Sequence, residues 1–223
     1  MTSGKTYRFV PYVPSRLPEA QMRERAKQFC AGMETRRSVR SFAREEVPLD
    51  VIDECIRAAG LAPSGANRQP WTFVVVTDPA VKRKVREAAE AEEKELYGNR
   101  LNDEWREALE PLGTNWEKPA LEDAPALIVL FRHAFDFEGE KKRTNYYTQE
   151  SVGIALGFLI TALHQCGLAT LTHTPSPMGF LGDILGRPEN ERAYVLLPVG
   201  YPAPDCSVPE LKKKTLDEIR VRV

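Results

Sequence analysis

The sequence predicts an α+β domain in which a mixed β-sheet packs between helices. Runs of strand length that are rich in apolar and β-branched residues alternate with amphipathic helical segments, and about four to five such strands occur. Neither the dinucleotide-binding glycine fingerprint nor a glycine-rich loop ending in Gly-Lys-Ser/Thr is present. The fold must therefore bind any phosphate without the loop of a Rossmann domain or of a P-loop kinase.

Composition and charge exclude several classes of function. The 223 residues include 31 Lys and Arg against 32 Asp and Glu, a net charge of -1, so no electrostatic attraction to nucleic acid or to an anionic membrane is expected. The four cysteines are widely spaced and make no C-x-x-C pair, and the three histidines form no pair at metal-ligand spacing, so no zinc or iron centre is expected. With no signal-peptide core and no long apolar run, the sequence predicts a cytoplasmic protein without a membrane segment.

The first half of the chain begins with an arm and a helix and then enters the main domain. Prolines indicate an extended arm over residues 1–18, and residues 1–34 are assigned to the arm and the following helix. Residues 35–223 form the main domain. Its first half is predicted to contain helices over 49–62 and 80–97, a strand over 71–77, and a polar covering segment, a lid, at about 91–120.

The second half supplies the remaining core elements. A buried strand is predicted over 126–131, a helix that is apolar on nearly all sides over 151–166, and two further strands over 169–172 and 194–199, with a short helix over 178–185 between them. Because the helix over 151–166 needs cover on most sides, a subunit interface is expected there. The tail, residues 208–223, is predicted to be an extended arm that ends as an edge strand.

Three arginines and a serine occur within Arg36, Arg37, Ser38, Val39 and Arg40. Guanidinium forks and a hydroxyl suit a phosphate monoester better than a base, a metal or an apolar ligand. Taken alone, an arginine-rich pentamer is also typical of a solvated helix face. The sequence thus leaves a phosphate site and a solvated helix as alternatives at this point.

Several motifs together resemble the FMN-dependent nitroreductase superfamily and, within it, the iodotyrosine deiodinases. The resemblance covers roughly residues 34–223. It is carried by the arginine motif, by Pro63-Ser64-Gly65-Ala66, by Gln69-Pro70-Trp71, by Thr114-Asn115-Trp116, by Thr172-His173-Thr174-Pro175 and by Leu197-Pro198-Val199-Gly200-Tyr201-Pro202.

The resemblance implies a nitroreductase-like fold, built as an intertwined homodimer with exchanged C-terminal arms and with FMN at the subunit interface. The residues expected to contact FMN are Arg36, Arg37, Ser38, Val39, Arg40, Pro63, Ser64, Thr172, His173, Thr174 and Lys213. Two of the matched positions have catalytic roles in the family: the Thr172 hydroxyl donates toward flavin N5, and the Ala66 N–H faces the phenolate oxygen of the substrate. Lys213 stands where the family commonly has arginine, and its lysine neighbours also fit a solvent-facing run.

The resemblance also implies a site for the amino-acid end of the substrate, formed by Glu93, Tyr97 and Lys118. Glu93 and Tyr97 are four residues apart on one helix, so a carboxylate and a phenol share a face where both can meet an ammonium group. Lys118 can meet the carboxylate of the same zwitterion. Without the resemblance, a solvated acidic helix and a packed aromatic residue explain Glu93 and Tyr97 equally well.

The function implied is reductive dehalogenation of halogenated tyrosine to tyrosine and halide, with 3-iodotyrosine as the principal candidate and bromo- and chlorotyrosine as further ones. Electrons would come from NAD(P)H or from a separate reductase. The alternatives are an NAD(P)H-dependent nitroreductase or quinone reductase, which has no use for a zwitterion site, and a flavin-dependent sensor that binds tyrosine derivatives without turnover.

Overall fold

The structure is a computed structural model that describes residues 7–223 and divides the chain into two units, residues 1–35 and 36–223. In the first unit, α1 spans Glu19–Thr35, as predicted, and residues 7–18 form no helix or strand. The rest of the predicted arm, residues 1–6, lies outside the described residues. No helix within residues 7–223 combines the length and the apolar character needed to cross a membrane.

The second unit contains the sheet and the remaining helices. The helices are α2 (Leu49–Gly60), α3 (Pro79–Glu95), α4 (Asp103–Leu109), α5 (Ala120–Asp123), α6 (Thr148–Gln165), α7 (Gly179–Ile184) and α8 (Leu216–Ile219). The strands are β1 (Trp71–Val76), β2 (Ala126–His133), β3 (Phe135–Glu138), β4 (Lys141–Thr144), β5 (Ala169–Thr170) and β6 (Glu191–Gly200). A π-helical turn, Leu96–Arg100, follows α3 directly.

The main sheet has the order β1-β2-β6-β5, and each pair of neighbouring strands is antiparallel. The α+β class is confirmed, but the prediction of a mixed sheet is corrected to an antiparallel one. The parallel component is a single bridge between Ser38 and Thr170 at the edge of the sheet. One bridge is too short to make a strand, so the arginine motif lies beside the sheet without joining it as a full member.

The sheet is covered on both faces, which explains why β2 is apolar at every position in its first six residues. Ile128 and Leu130 face a cluster that contains α2 and α6, whereas Leu127, Val129 and Phe131 face a cluster that contains α3 and α7. Successive side chains of a strand point to opposite faces, so a strand buried on both faces reads as a continuous apolar run.

Two segments differ from the sequence-based prediction. The tail forms no edge strand; it contains α8, which starts at a capping box in which Thr215 and Glu218 satisfy each other's groups. The charged segment after β2 forms the hairpin of β3 and β4, which was not predicted. Many charged residues surround the turn at Gly139, so the sequence does not show the apolar pattern by which strands were identified.

Candidate active site

A cavity of ≈ 380 Å³ lies between the end of α3, the lid and the segment that follows β5. It brings together seven of the residues singled out from the sequence: Arg40, Glu93, Tyr97, Lys118, Thr172, His173 and Thr174. Within residues 7–223, no group of three or more His, Cys, Asp or Glu is arranged to hold a metal ion. The cavity is lined by hydrogen-bonding and charged groups together with apolar lid residues.

Glu93 and Lys118 form a buried ion pair in the wall of this cavity. Lys118 Nζ lies 3.3 Å from Glu93 Oε2, and 5.5 Å from the centre of the Tyr97 ring. Both charged residues are more than nine-tenths buried. Burial lowers the pKa of Lys118 below its usual value, and the neighbouring Glu93 partly offsets this effect. The three residues that the sequence analysis assigned to the substrate therefore line one cavity, and their role as substrate contacts stays a prediction.

The lid is attached to α3 by contacts that the sequence analysis missed. Glu90, one turn before Glu93, accepts a hydrogen bond from the backbone N–H of Lys118 at 2.8 Å and pairs with Arg86 at 2.7 Å. Lys94 lies over the Trp116 ring, 4.0 Å from its centre. In the sequence, Glu90 is one member of an acidic run. Its contact with Lys118, 28 positions later along the chain, distinguishes it from the other acidic residues of that run.

The segment after β5 presents alternate side chains to different environments. His173 exchanges two backbone hydrogen bonds of 2.9 Å with Leu196, so the segment is extended here. Thr172 and Thr174 are exposed, whereas His173 is buried, with Nε2 3.9 Å from Glu93 Oε1 and no hydrogen-bond partner among the described residues. Burial, with Lys118 and Arg40 nearby, lowers the pKa of His173 to about 4.

The arginine motif is extended, so its interpretation as a solvated helix face is wrong. Val39 donates to the Thr170 carbonyl at 3.1 Å and is buried against Phe42 and neighbouring alanines. This anchor leaves Ser38 and Arg40 at a second cavity of ≈ 370 Å³, which Ser207 also lines. Arg40 therefore borders both cavities.

The remaining cationic residues of the predicted phosphate site have different surroundings. The guanidinium of Arg37 donates to the Pro209 carbonyl oxygen, which attaches the start of the C-terminal tail to the motif. Arg36 and Arg40 are half-buried, and among the described residues neither is paired with a carboxylate or a hydrogen-bond acceptor. Lys213 is exposed on the tail and lines neither cavity, so the single chain does not bring it to the arginines.

The loop after α2 is held in a strained conformation but lies outside the cavity lining. Ala66 is exposed and has φ 50° and ψ 28°, a left-handed conformation unusual for a residue other than glycine. Ser64 Oγ accepts from the Gln69 N–H at 2.9 Å, and Arg68 Nε donates to Asn145 Oδ1 at 3.0 Å. Pro63 is exposed at the start of the loop. The loop is thus held by contacts at Ser64 and Arg68, while Ala66 between them is exposed.

Comparison with known proteins places the chain in a family. Residues 33–201 match the profile of the nitroreductase family. The chain is 53% identical over 207 residues to iodotyrosine deiodinase of Haliscomenobacter hydrossis, with 92% of this chain and 93% of the relative covered. It is 46% identical to iodotyrosine deiodinase 1 of Homo sapiens, covering 99% of this chain and 77% of the relative.

The fold agrees with a solved structure from the same group. A crystal structure of oxidized iodotyrosine deiodinase bound to FMN and 3-iodo-L-tyrosine superposes with a TM-score of 0.76 at 31% identity, over 84% of this chain and 96% of the other. The chain therefore belongs to the nitroreductase family and, within that family, to the iodotyrosine deiodinases.

Proposed function

We propose that this protein is an FMN-dependent enzyme that removes halide reductively from halogenated tyrosine, with 3-iodotyrosine as its principal substrate. The observation that carries the proposal is the buried pair of Glu93 and Lys118, which lies beside Tyr97 in the same cavity as Thr172. Because desolvation of two charges offsets much of their attraction, a buried ion pair in a cavity wall is better explained by a charged ligand than by stability. Kinship to the iodotyrosine deiodinases supports the same activity.

Glu93 places a negative charge and Lys118 a positive charge at the cavity wall. An amino-acid zwitterion carries an ammonium and a carboxylate group, which match these two charges. The Glu93 carboxylate and the Tyr97 phenol receive the α-ammonium group, and Lys118 Nζ donates to the α-carboxylate. A neutral quinone or nitroarene offers neither group. The solved structures described as nitroreductases are 20–22% identical and share the fold alone, so they do not favour a nitroreductase or quinone reductase activity.

The donor set fits the phosphate of FMN. Arg36 and Arg40 are half-buried guanidinium groups without a carboxylate partner among the described residues, and Ser38 adds a hydroxyl at the cavity that Arg40 shares. Val39 fixes the motif to the sheet edge, and Pro63, Ser64 and the 172–174 segment supply the remaining contacts of the proposed site. Reduced FMN held there would supply the two electrons that, with one proton, replace the carbon–iodine bond by a carbon–hydrogen bond and release iodide, leaving oxidised FMN.

Two further contacts belong to the chemistry. The Thr172 hydroxyl, exposed in the cavity wall, donates a hydrogen bond toward flavin N5. The Ala66 N–H, which has no hydrogen-bond partner among the described residues, donates to the substrate phenol oxygen and favours its ionised form. Closure of the lid over the zwitterion excludes water from the site.

A homodimer with exchanged C-terminal arms completes the site in this proposal. Ala66 does not line the cavity that contains Glu93, so it reaches the substrate from a second subunit. Helix α6 leaves Ile154 and Phe158 42% and 45% exposed on an apolar helix, and the tail leaves Leu216 and Ile219 59% and 67% exposed. Apolar surface of this extent favours burial against another chain. The exchanged tail would also carry Lys213 to the phosphate of the partner's FMN.

The proposal is tested by titrating the FMN-loaded protein with 3-iodotyrosine and with 4-nitrophenol while flavin fluorescence is followed, and by measuring iodide release under dithionite. Strong quenching by 3-iodotyrosine together with iodide release is expected. Absence of zwitterion binding, together with NAD(P)H-dependent turnover of nitroarenes, would replace the proposal with a nitroreductase. Thr172→Ala should retain affinity and lose turnover, which separates an enzyme from a sensor; NAD(P)H and a flavin reductase can then be compared as electron donors.

A further inference from the structure

His173 has a buried hydrogen-bonding atom that nothing in the described chain satisfies. The residue is only 8% exposed, and its Nε2 is buried without a hydrogen-bond partner. An unsatisfied buried polar atom costs roughly 1–3 kcal/mol, so such atoms are uncommon unless a ligand satisfies them. His173 lines the same cavity as Glu93 and Lys118. A group that binds beside Glu93 in that cavity is therefore a candidate partner for Nε2.

The position of Nε2 identifies which end of the ligand it meets. Nε2 lies 3.9 Å from Glu93 Oε1, whereas Lys118 Nζ lies 3.3 Å from the other oxygen, Oε2. Any group that binds Glu93 Oε1 from the cavity is thus within reach of the imidazole. An ammonium group has three N–H donors, and Glu93 and Tyr97 provide acceptors for two of them. A third acceptor is needed at this place.

We propose that Nε2 of His173 accepts a hydrogen bond from the α-ammonium group of the substrate, as the third acceptor beside Glu93 and Tyr97. This inference rests on the proposed function and assigns the histidine side chain to the substrate, while Thr172 and Thr174 on the opposite side of the segment remain with the cofactor. The acceptor role requires the neutral imidazole with its proton on Nδ1. Burial, together with Lys118 and Arg40 nearby, opposes a positive charge on the ring and favours its neutral form.

The test compares His173→Leu with His173→Gln, which restores a hydrogen-bond acceptor of similar reach. Three ligands are titrated against each FMN-loaded variant by flavin fluorescence: 3-iodotyrosine, 3-iodotyramine, which lacks the carboxylate, and 3-(4-hydroxy-3-iodophenyl)propanoate, which lacks the ammonium group. His173→Leu should weaken the two ammonium-containing ligands by about tenfold, as expected for one hydrogen bond to a charged group, and the propanoate by less than about twofold. His173→Gln should recover most of the loss.

Three outcomes overturn the inference. A loss on the propanoate with none on 3-iodotyramine would make Nε2 a donor to the carboxylate, and equal affinities of His173→Leu and the wild type for all three ligands would leave the histidine without a ligand role. Repeating the comparison in the Glu93→Gln background separates direct contact from positioning: a loss that persists supports contact, and a loss that vanishes means that His173 acts through Glu93. Failure of the wild type to bind 3-iodotyrosine at all would instead contradict the proposed function.

Discussion

Replacement of Lys118 by methionine should have opposite effects on two ligands that differ only in a carboxylate. Lys118 Nζ lies 3.3 Å from Glu93 Oε2, so the same amine that would bind a ligand carboxylate also competes with a ligand ammonium group for Glu93. 3-Iodotyrosine loses its carboxylate contact in Lys118→Met. 3-Iodotyramine has no carboxylate to lose and gains a Glu93 carboxylate that is no longer shared.

The structure sets the size of both effects. Two unit charges 3.3 Å apart attract by about 5 kcal/mol at an effective dielectric constant of about 20, but burial is the larger influence on the pKa of Lys118 and offsets much of this attraction. A hydrogen bond to a charged group contributes about 1.5–3 kcal/mol, so 3-iodotyrosine should bind about 10- to 150-fold more weakly. 3-Iodotyramine should bind equally well or up to about tenfold more tightly.

Flavin fluorescence titration measures both dissociation constants on the FMN-loaded protein. Lys84→Met is the matched control, because Lys84 is exposed on α3, the helix that carries Glu93, and does not line the cavity, so the substitution removes the same charge away from the site. The control should bind both ligands as the wild type does. An equal loss of affinity for the two ligands in Lys118→Met would refute the reasoning, since it would mean that Lys118 only maintains the shape of the lid.

Three further predictions concern stability and assembly. Because the unfolded chain protonates His173 near pH 6.5 and the folded chain only near pH 4, lowering the pH through this interval should remove up to about 3 kcal/mol of stability, and urea titrations of His173→Leu should lack this part of the dependence. A Cβ at Gly200 would lie 2.5 Å from a ring carbon of the proline that precedes β2, so Gly200→Ala should lower the thermal midpoint by the equivalent of about 1–3 kcal/mol, whereas Gly60→Ala, with no atom within 4 Å, should not; equal midpoints would contradict the packing argument. Phe158→Glu on α6 should yield a monomer by light scattering, whereas Phe137→Glu on the exposed hairpin should remain dimeric; a dimeric Phe158→Glu would exclude α6 from the interface.

The sequence predicted the core elements well because their signals are local. The apolar run at Ala126–Phe131 and the amphipathic pattern of α2 each reflect which faces are buried. Both elements were predicted within a few residues of their observed bounds. α8 could also have been found, because Thr215 followed by Glu218 is the spacing of a capping box. It was missed because the alternation of Leu216, Ile219 and Val221 was taken as a strand.

The site could be predicted only as far as the resemblance reached. Glu93, Tyr97 and Lys118 were grouped by family motif, and their shared wall followed from the fold. Glu90 and Asn145 were not found, because their roles depend on partners 28 and 77 positions away along the chain, Lys118 and Arg68. No local pattern distinguishes such residues from solvated neighbours. The burial of His173 likewise follows from its pairing with Leu196 across the sheet edge.

The charges around the cavity explain how one lid can select a zwitterion over other phenols. Without a ligand, Glu93 and Lys118 neutralise each other at 3.3 Å, so the buried wall carries little net charge. A zwitterion replaces this pair by two pairs and leaves no charge unmatched, whereas a ligand with a single charge leaves one buried residue without a partner. A neutral phenol gains nothing from the wall. In the proposed complex, His173 would strengthen this selection, because a neutral imidazole adds an acceptor for the ammonium group without adding a charge that would compete with it.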